Sequence, residues 1–343
     1  MKLSSKERRI ITRNVLLGGL AGSVALYAAP AYAGSSVSEN IPAQTVINQV
    51  ADLSTDWLAA DTVEVKEDGD KVDVNVAGAP SSGDFQVFAN VGYGHLNTNL
   101  KDGEIKSNST GVNLGLAKTI DTAGGGQLTF APVIDYGHGR FDTYSNQWGK
   151  MGNGKTTYWA GGGIVRQSMQ NGFYYEASLR YGRNKVEYTQ RGWISDDASA
   201  PVWSGHIHVG RQLKVDPQSI LKVYGMYHHT YQKGLSLNKF GYRTSSSNSG
   251  RFRVGAKVTR YTSKTQSFYT GLAYQYDHSG AADTYGNGWS VKGDSEHGSS
   301  GMLELGWQVR QSARSSSALD INVTGWMGKQ HGVTTGVKFK KVF

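Results

Sequence analysis

A period of two recurs twelve times between residue 84 and the C-terminus, and it restricts the fold more than any other feature of the chain. In "DFQVFANVGYGH", Phe85, Val87, Ala89, Val91 and Tyr93 alternate with Gln86, Phe88, Asn90 and Gly92. The closing "GVTTGVKFKKVF" sets Val333, Thr335, Val337 and Phe339 against Thr334, Gly336, Lys338 and Lys340 and stops on Phe343. Each segment reads as a strand with one oily and one wet face. Something must cover the oily face to the last residue.

The links between strands say what covers it. Strands two and three, four and five, six and seven, eight and nine, and ten and eleven are joined by short pieces such as "SMQNG", "VDPQ" and "TSKT". The links after strands one, three, five, seven and nine are long and polar, for instance "LNTNLKDGEIKSNS" and "RFDTYSNQWGKMGNGK". Such an alternation needs antiparallel neighbours whose two ends face different surroundings. A soluble β-sandwich supplies no reason for it; a closed, twelve-stranded, antiparallel transmembrane β-barrel does. In hydrocarbon every backbone amide must be bonded within the sheet, and closure removes the edges. The fold is therefore expected to be all-β, with Phe343 ending the strand that closes the cylinder against strand one.

The composition agrees. A mean hydropathy of −0.45 is that of an ordinary soluble chain, but 45 Gly, 19 Tyr and 8 Trp beside 6 Pro and no Cys suit many strands with aromatic ends and tight turns. The lack of Cys removes disulfide and thiolate-metal arguments. At the N-terminus, Lys2, Lys6, Arg8, Arg9 and Arg13 precede the apolar run "VLLGGLAGSVALYAA" and then "AYA". This reads as a secretory signal peptide over residues 1–33, cleaved after Ala33 on a Sec-type route; the run is shorter than the ~20 residues a helical anchor needs. Its five cations and single acid take the formal charge from +9 to +5 in the mature chain. No basic run or basic helix marks a nucleic-acid partner.

Parity assigns the faces. If the Val, Leu, Ile and Tyr positions meet lipid, the lumen receives Asp135, Glu176, Arg180, His206, His208, Lys222, Arg251, Arg253, Lys257, Glu304, Arg310, Asp320, Lys338 and Lys340. A charge turned to mid-membrane lipid costs about 2–4 kcal/mol, so one charge near a strand's middle orients the strand. Strand four, "YWAGGGIV", has no such charge and its parity stays open. Eight cations against four carboxylates make the expected lumen cationic.

An acidic helix is available to fill it. Residues 43–60 space Val46, Ile47, Val50, Leu53, Trp57 and Leu58 at three to four residues after Pro42, and carry Asp52 and Asp56. The expectation is a plug, with Asp52, Asp56 and Trp57 in the lumen and the acids against some of Arg180, Arg251, Arg253 and Lys257. Residues 34–83 thus form a linker holding this helix and a hairpin over 62–76 around Asp68-Gly69, and 84–343 form the barrel.

Signal, helix and about 260 residues of twelve strands ending in Phe resemble the translocator domain of the autotransporters of Gram-negative outer membranes. The closing segment, with Gly336, Phe339 and Phe343, is similar to the signal that the barrel-assembly machinery reads, although Lys341 stands where an apolar residue is usual. The resemblance implies the cell outer membrane as location, and outer-membrane lipid, that machinery and periplasmic chaperones as partners. Autotransporters normally carry a long passenger; only residues 34–42 separate the cleavage site from the helix, so a barrel without a sizeable passenger is expected.

Three functions compete. The first is a non-catalytic translocator-like barrel, or an adhesion protein whose loops "QWGKMGNGK" and "DTYGNGWS" meet a host or environmental surface ligand. The second is a narrow anion-favouring, porin-like channel. The third is an outer-membrane hydrolase: "SGHIHVG" puts His206 and His208 on one face, and "YDHSG" brings Asp277, His278 and Ser279 together in sequence. A general base needs an orienting carboxylate and a nucleophile, and neighbours along a strand point to opposite sides. No catalytic, metal or cofactor residue is therefore assigned.

Overall fold

The computed structural model describes residues 46–47, 49–50, 52–53, 63–69, 71–76, 85–101, 103–123, 125–190, 194–239, 241–279, 282–286, 289–291, 296–310 and 317–343. The predicted signal peptide and Ser279's side chain lie outside them. Among the described residues eighteen strands follow in chain order. A hairpin, β1 (Val63–Asp68) and β2 (Lys71–Val76), turns at Gly69, whose φ of 58° suits a residue without Cβ. Then come β3 (Phe85–Leu100), β4 (Gly103–Asp121), β5 (Gln127–Ser145), β6 (Gly149–Ser168), β7 (Phe173–Gln190), β8 (Ile194–Asp216) and β9 (Ser219–Gln232). After the short β10 (Ser236–Leu237) and β11 (Tyr242–Thr244) run β12 (Ser247–Tyr261) and β13 (Gln266–Ser279). The short β14 (Thr284–Gly286) and β15 (Trp289–Val291) precede β16 (Glu296–Arg310), β17 (Ser317–Gly328) and β18 (Gln330–Val342).

Twelve of these close an antiparallel barrel in the order β3 to β9, β12, β13, β16, β17, β18 and back to β3. The seam registers Gln330 with Thr98 and Val342 with Gln86, and the N–H of Phe343 donates to the Phe85 carbonyl at 2.9 Å. The last residue therefore completes the ladder, and its ring is 68% exposed on the outer wall.

Outward positions are oily: Ile134 and Leu272 are each 67% exposed, a surface that makes sense only in lipid. Aromatic rings band both ends of this zone, with Phe85, Phe130, Phe173, Phe268 and Trp307 towards the short turns and Tyr136, Trp159, Tyr181 and Trp203 towards the other end. Strand four of the sequence, now β6, exposes Trp159 and Val165 while Tyr158, Ala160, Ile164 and Arg166 are buried inward. Its parity is set by Arg166, too near the strand end to orient it from sequence.

One expectation changes. The long polar links after the first, third and fifth strands are mostly strand: Leu100 and Gly103 still pair, β5 meets β6 at Ser145–Gly149, and β8 runs 23 residues. A span needs only ~9–11 residues, so these strands stand well clear of the membrane. The oily outward alternation stops there because the outside is water, but backbone pairing does not depend on lipid. The two remaining long links contribute β10, β11, β14 and β15, which join into one four-stranded sheet.

Candidate functional site: the lumen and its three fillings

The charged middle of the lumen is wired across neighbouring strands. On one wall Asn90 donates to Asn113, Asn113 bonds Asp135, and Arg180 Nε lies 2.7 Å from Asp135 Oδ2. Arg180 Nη1 also donates to Ser178 Oγ at 2.6 Å, and Ser178 Oγ meets His206 Nδ1 at 2.7 Å. His206 Nε2 lies 2.9 Å from Glu176 Oε1, whose other oxygen takes Arg166 Nη1 at 3.3 Å. Each group is buried or half-buried, and each charge has an opposite partner, as a low-dielectric interior requires. On the facing wall Lys257 pairs with Glu304 at 2.9 Å.

Inside this ring sit helical residues. Val46, Ile47, Gln49, Val50, Asp52 and Leu53 are helical, and the apolar four among them are buried. Room for them is made by glycine. A Cβ on Gly92 would come 2.6 Å from Leu53, one on Gly111 2.9 Å from Val50, and ones on Gly137 and Gly139 2.6 and 2.7 Å from Val46. The seat on β3, β4 and β5 is thus bare backbone, and the helix packs onto it at a distance that side chains would forbid. Ser109 Oγ donates to Gln49 Oε1 beside it. From the opposite side Asp52 Oδ2 accepts from Arg251 Nη1 at 3.1 Å and Arg253 Nη2 at 2.9 Å. Arg251 also holds Asp277, Arg253 holds Gln275, and Gln275 donates to Asp277, so the five side chains close a ring. Of the four cations considered for the helix, Arg180 and Lys257 pair instead with wall carboxylates. Asp56 and Trp57 lie outside the described residues.

Both ends are filled by apolar side chains. At the short-turn end Val72 and Val74 of β2 pack with Ile220 and Tyr261, while Val74 N–H donates to the Pro217 carbonyl and Lys214 reaches Asp73 at 2.7 Å. At the long-hairpin end Leu235 and Leu237, each 1% exposed, enter a pocket of Ile105, Phe141, Val186, Tyr188, Ala198 and Ala200. The segment is tied down by Lys239 N–H to Asp196 Oδ2 at 2.7 Å and Lys233 N–H to the Pro201 carbonyl at 3.0 Å.

Among the described residues two lumen cavities are lined, of about 110 and 90 Å³. The first lies beside Asp52, Arg251 and Arg253; the second lies under the β1–β2 hairpin and is lined by Lys222, Lys257, Arg310, Lys338 and Lys340 with Asp320. Lys222 stands over the Tyr174 ring and Arg310 over the Tyr261 ring. Gly336 faces inward against Asn322; Phe339 and Phe343 are exposed on the outer wall.

His206 lies between a hydroxyl and a carboxylate, an arrangement that can polarise Ser178. Here the hydroxyl and the carboxylate are each also taken by an arginine. His208 bonds the Tyr174 hydroxyl at 3.1 Å. Asp277 belongs to the inward ring, whereas His278 shares the outward parity of Tyr274 and Tyr276 and stands away from it. Sequence reasoning missed Arg166, Ser178 and the Leu235/Leu237 pair, and weighed Asp277 only beside His278 and Ser279, not as a partner of Arg251. The one signal for the pair was a Leu-x-Leu alternation inside a polar loop.

The model of the autotransporter β-domain matches residues 67–322. Among solved structures the chain is similar to the β domain of the Bordetella autotransporter BrkA, with 12% identity, TM-score 0.59, and 76% of this chain and 100% of that one covered. The translocator domain of NalP from Neisseria meningitidis gives 14%, 0.57, 90% and 98%, and the transport unit of AIDA-I from Escherichia coli gives 11%, 0.57, 88% and 99%. At these identities the likeness speaks for the fold. No curated protein matches the chain in sequence. A closed twelve-stranded barrel with a lipid-facing wall, matched by the family model over residues 67–322, makes this chain a member of the autotransporter β-domain family, an outer-membrane translocator barrel.

Proposed function

We infer that the barrel works as a closed outer-membrane platform whose hairpins meet a host or environmental surface ligand, and that it carries out no catalysis. The observation that carries this reading is the filling of the lumen at three levels by the chain's own residues: Val72 and Val74, the helical stretch around Asp52, and Leu235 with Leu237. The ligand-facing surface is the outer hairpins, where Trp148 is 59% exposed at the β5–β6 tip. Export uses the signal peptide, cleaved after Ala33; periplasmic chaperones and the barrel-assembly machinery then insert the chain, reading Gly336, Phe339 and Phe343 on the closing strand. The cations of the cavity under β1–β2 support a second reading, an anion-favouring channel. That reading needs both ends to open.

Planar-bilayer recording separates the two. The full chain is expected to be silent, and a variant lacking residues 34–76, and so both the helical stretch and the β1–β2 hairpin, with Leu235→Asp and Leu237→Asp is expected to conduct. Steady anion-selective steps from the unmodified chain would overturn the closed reading. Tags after residues 146 and 246 should be reached on intact cells and a tag after 216 should not; the reverse pattern would invert the assigned orientation.

A further inference from the structure

The outer wall of β5, β6 and β7 carries four clustered cations, three of which no ion pair among the described residues uses. Cross-strand register sets the outward residues in rows. Counting upward from the girdle, these rows are Tyr136–Trp159–Arg183, then His138–Thr157–Lys185, then Arg140–Lys155–Glu187. Arg140, Lys155, Arg183 and Lys185 are exposed on this face. Lys185 is shared by Glu187 at 3.1 Å and Asp197 at 3.4 Å, and the nearby Asp142 is held by Lys150 at 2.8 Å. Among the described residues Arg140, Lys155 and Arg183 have no carboxylate or hydrogen-bond partner. The three positions span about 13 Å along the strand, enough for more than one phosphate.

Directly beneath lies an oily depression. The next rows down are Ile134–Gly161–Tyr181 and Pro132–Gly163–Leu179, the latter continuing to Gly205 on β8. A Cβ on Gly161 would meet nothing within 4 Å, and one on Gly163 only a carbonyl oxygen at 3.8 Å. Around Gly205 a groove of about 330 Å³ runs between Ala177, Leu179, Trp203, Ile207 and Tyr227, over the backbone of the inward-turned residues between them. Small residues in the wall beside large ones leave an apolar hollow open to the lipid side. The Trp159 indole beside Arg183 marks the level where chain gives way to headgroup.

We propose that this face of β5–β8 is a binding site for a phosphate-bearing, multiply acylated lipid of the outer leaflet: Arg140, Lys155 and Arg183 hold its phosphates, and the depression at Gly161 and Gly163, with the groove at Gly205 beyond Leu179, takes an acyl chain. A free phosphate would have no use for the groove, and an uncharged lipid none for the three cations. The site is on the lipid side of the wall and does not depend on whether the lumen conducts.

The test uses the full chain folded in neutral detergent and titrated with a diphosphorylated hexa-acyl glucosamine disaccharide, with bound lipid counted by native mass spectrometry. The unmodified barrel is expected to retain one such lipid, with at least tenfold weaker retention in Arg140→Ala/Lys155→Ala/Arg183→Ala. A control removing three cations at the opposite end, Lys71→Ala/Lys118→Ala/Lys264→Ala, is expected to stay within twofold. Heat-modifiable gel mobility reports that each variant is folded. Gly163→Leu, which keeps all charges, is expected to weaken retention by filling the depression between Pro132 and Leu179. Equal binding of the dephosphorylated lipid, or a triple variant within twofold of the unmodified barrel, would overturn the proposal. Displacement of the lipid by millimolar inorganic phosphate would also overturn it, by making the site one for free anions.

Discussion

Below the girdle of Tyr136, Trp159, Tyr181 and Trp203 the wall is oily outside and charged within; above it the same strands are polar outside and oily within. On β7 the change takes a few residues: Leu179 and Tyr181 point to lipid while Glu176 and Arg180 point in, and then Lys185 and Glu187 point out while Val186 and Tyr188 point in. Parity never slips. What changes is the medium outside, lipid and then water, and what fills the inside. Around Glu176 the filling is a chain of paired charges; around Tyr188 it is Leu235 and Leu237. One continuous ladder thus serves two opposite arrangements, because backbone pairing is indifferent to which face is wet.

Breaking the lower arrangement should have the largest effect. Glu176→Ala leaves Arg166 buried without its carboxylate and removes the anchor of His206, which should destabilise the barrel by about 3–5 kcal/mol, read from urea unfolding in micelles. A loss below 1 kcal/mol would mean that the charged filling is incidental. The next test moves one charge along β7. Leu179→Arg, turned to lipid, should cost about 2–4 kcal/mol, whereas Lys185→Leu, six residues on and in water, should leave stability nearly unchanged. Equal effects would erase the boundary drawn at the girdle. The smallest effect is expected at the hairpin tip, where the bond from Lys150 to Asp142 raises the lysine's pKa. The sign follows: the lysine's contribution is present at neutral pH and is lost as pH rises through the lysine range, and in so exposed a pair Lys150→Ala should leave the unfolding midpoint where it was.

Much of the fold was legible. Val333, Val337 and Phe339 against Lys338 and Lys340 could be one thing only, and the even number of strands with Phe343 at the end named the closing seam. The outer hairpins were less so: at Leu96–Ser109 the oily positions turn inward and the outward ones are polar, so a reader looking for lipid-facing residues sees a loop. The lumen was legible as a list and not as a circuit. Alternation assigns Arg180, Arg251, Arg253 and Lys257 to one side of the wall, but which of them meets Asp52 depends on how far round the cylinder each strand lies.

Periodicity, link lengths and terminal aromatics determined a barrel and, on every strand with a charge near its middle, the side of the wall on which that charge falls, because a strand's two faces are set locally by its pleat. Only the tertiary structure decided that Asp52 meets Arg251 and Arg253, that Gly92, Gly111, Gly137 and Gly139 form a seat, and that Arg140, Lys155 and Arg183 share one patch. Those juxtapositions join residues tens to hundreds of positions apart, and they come into being only when the sheet's register and closure bring the strands around a common axis.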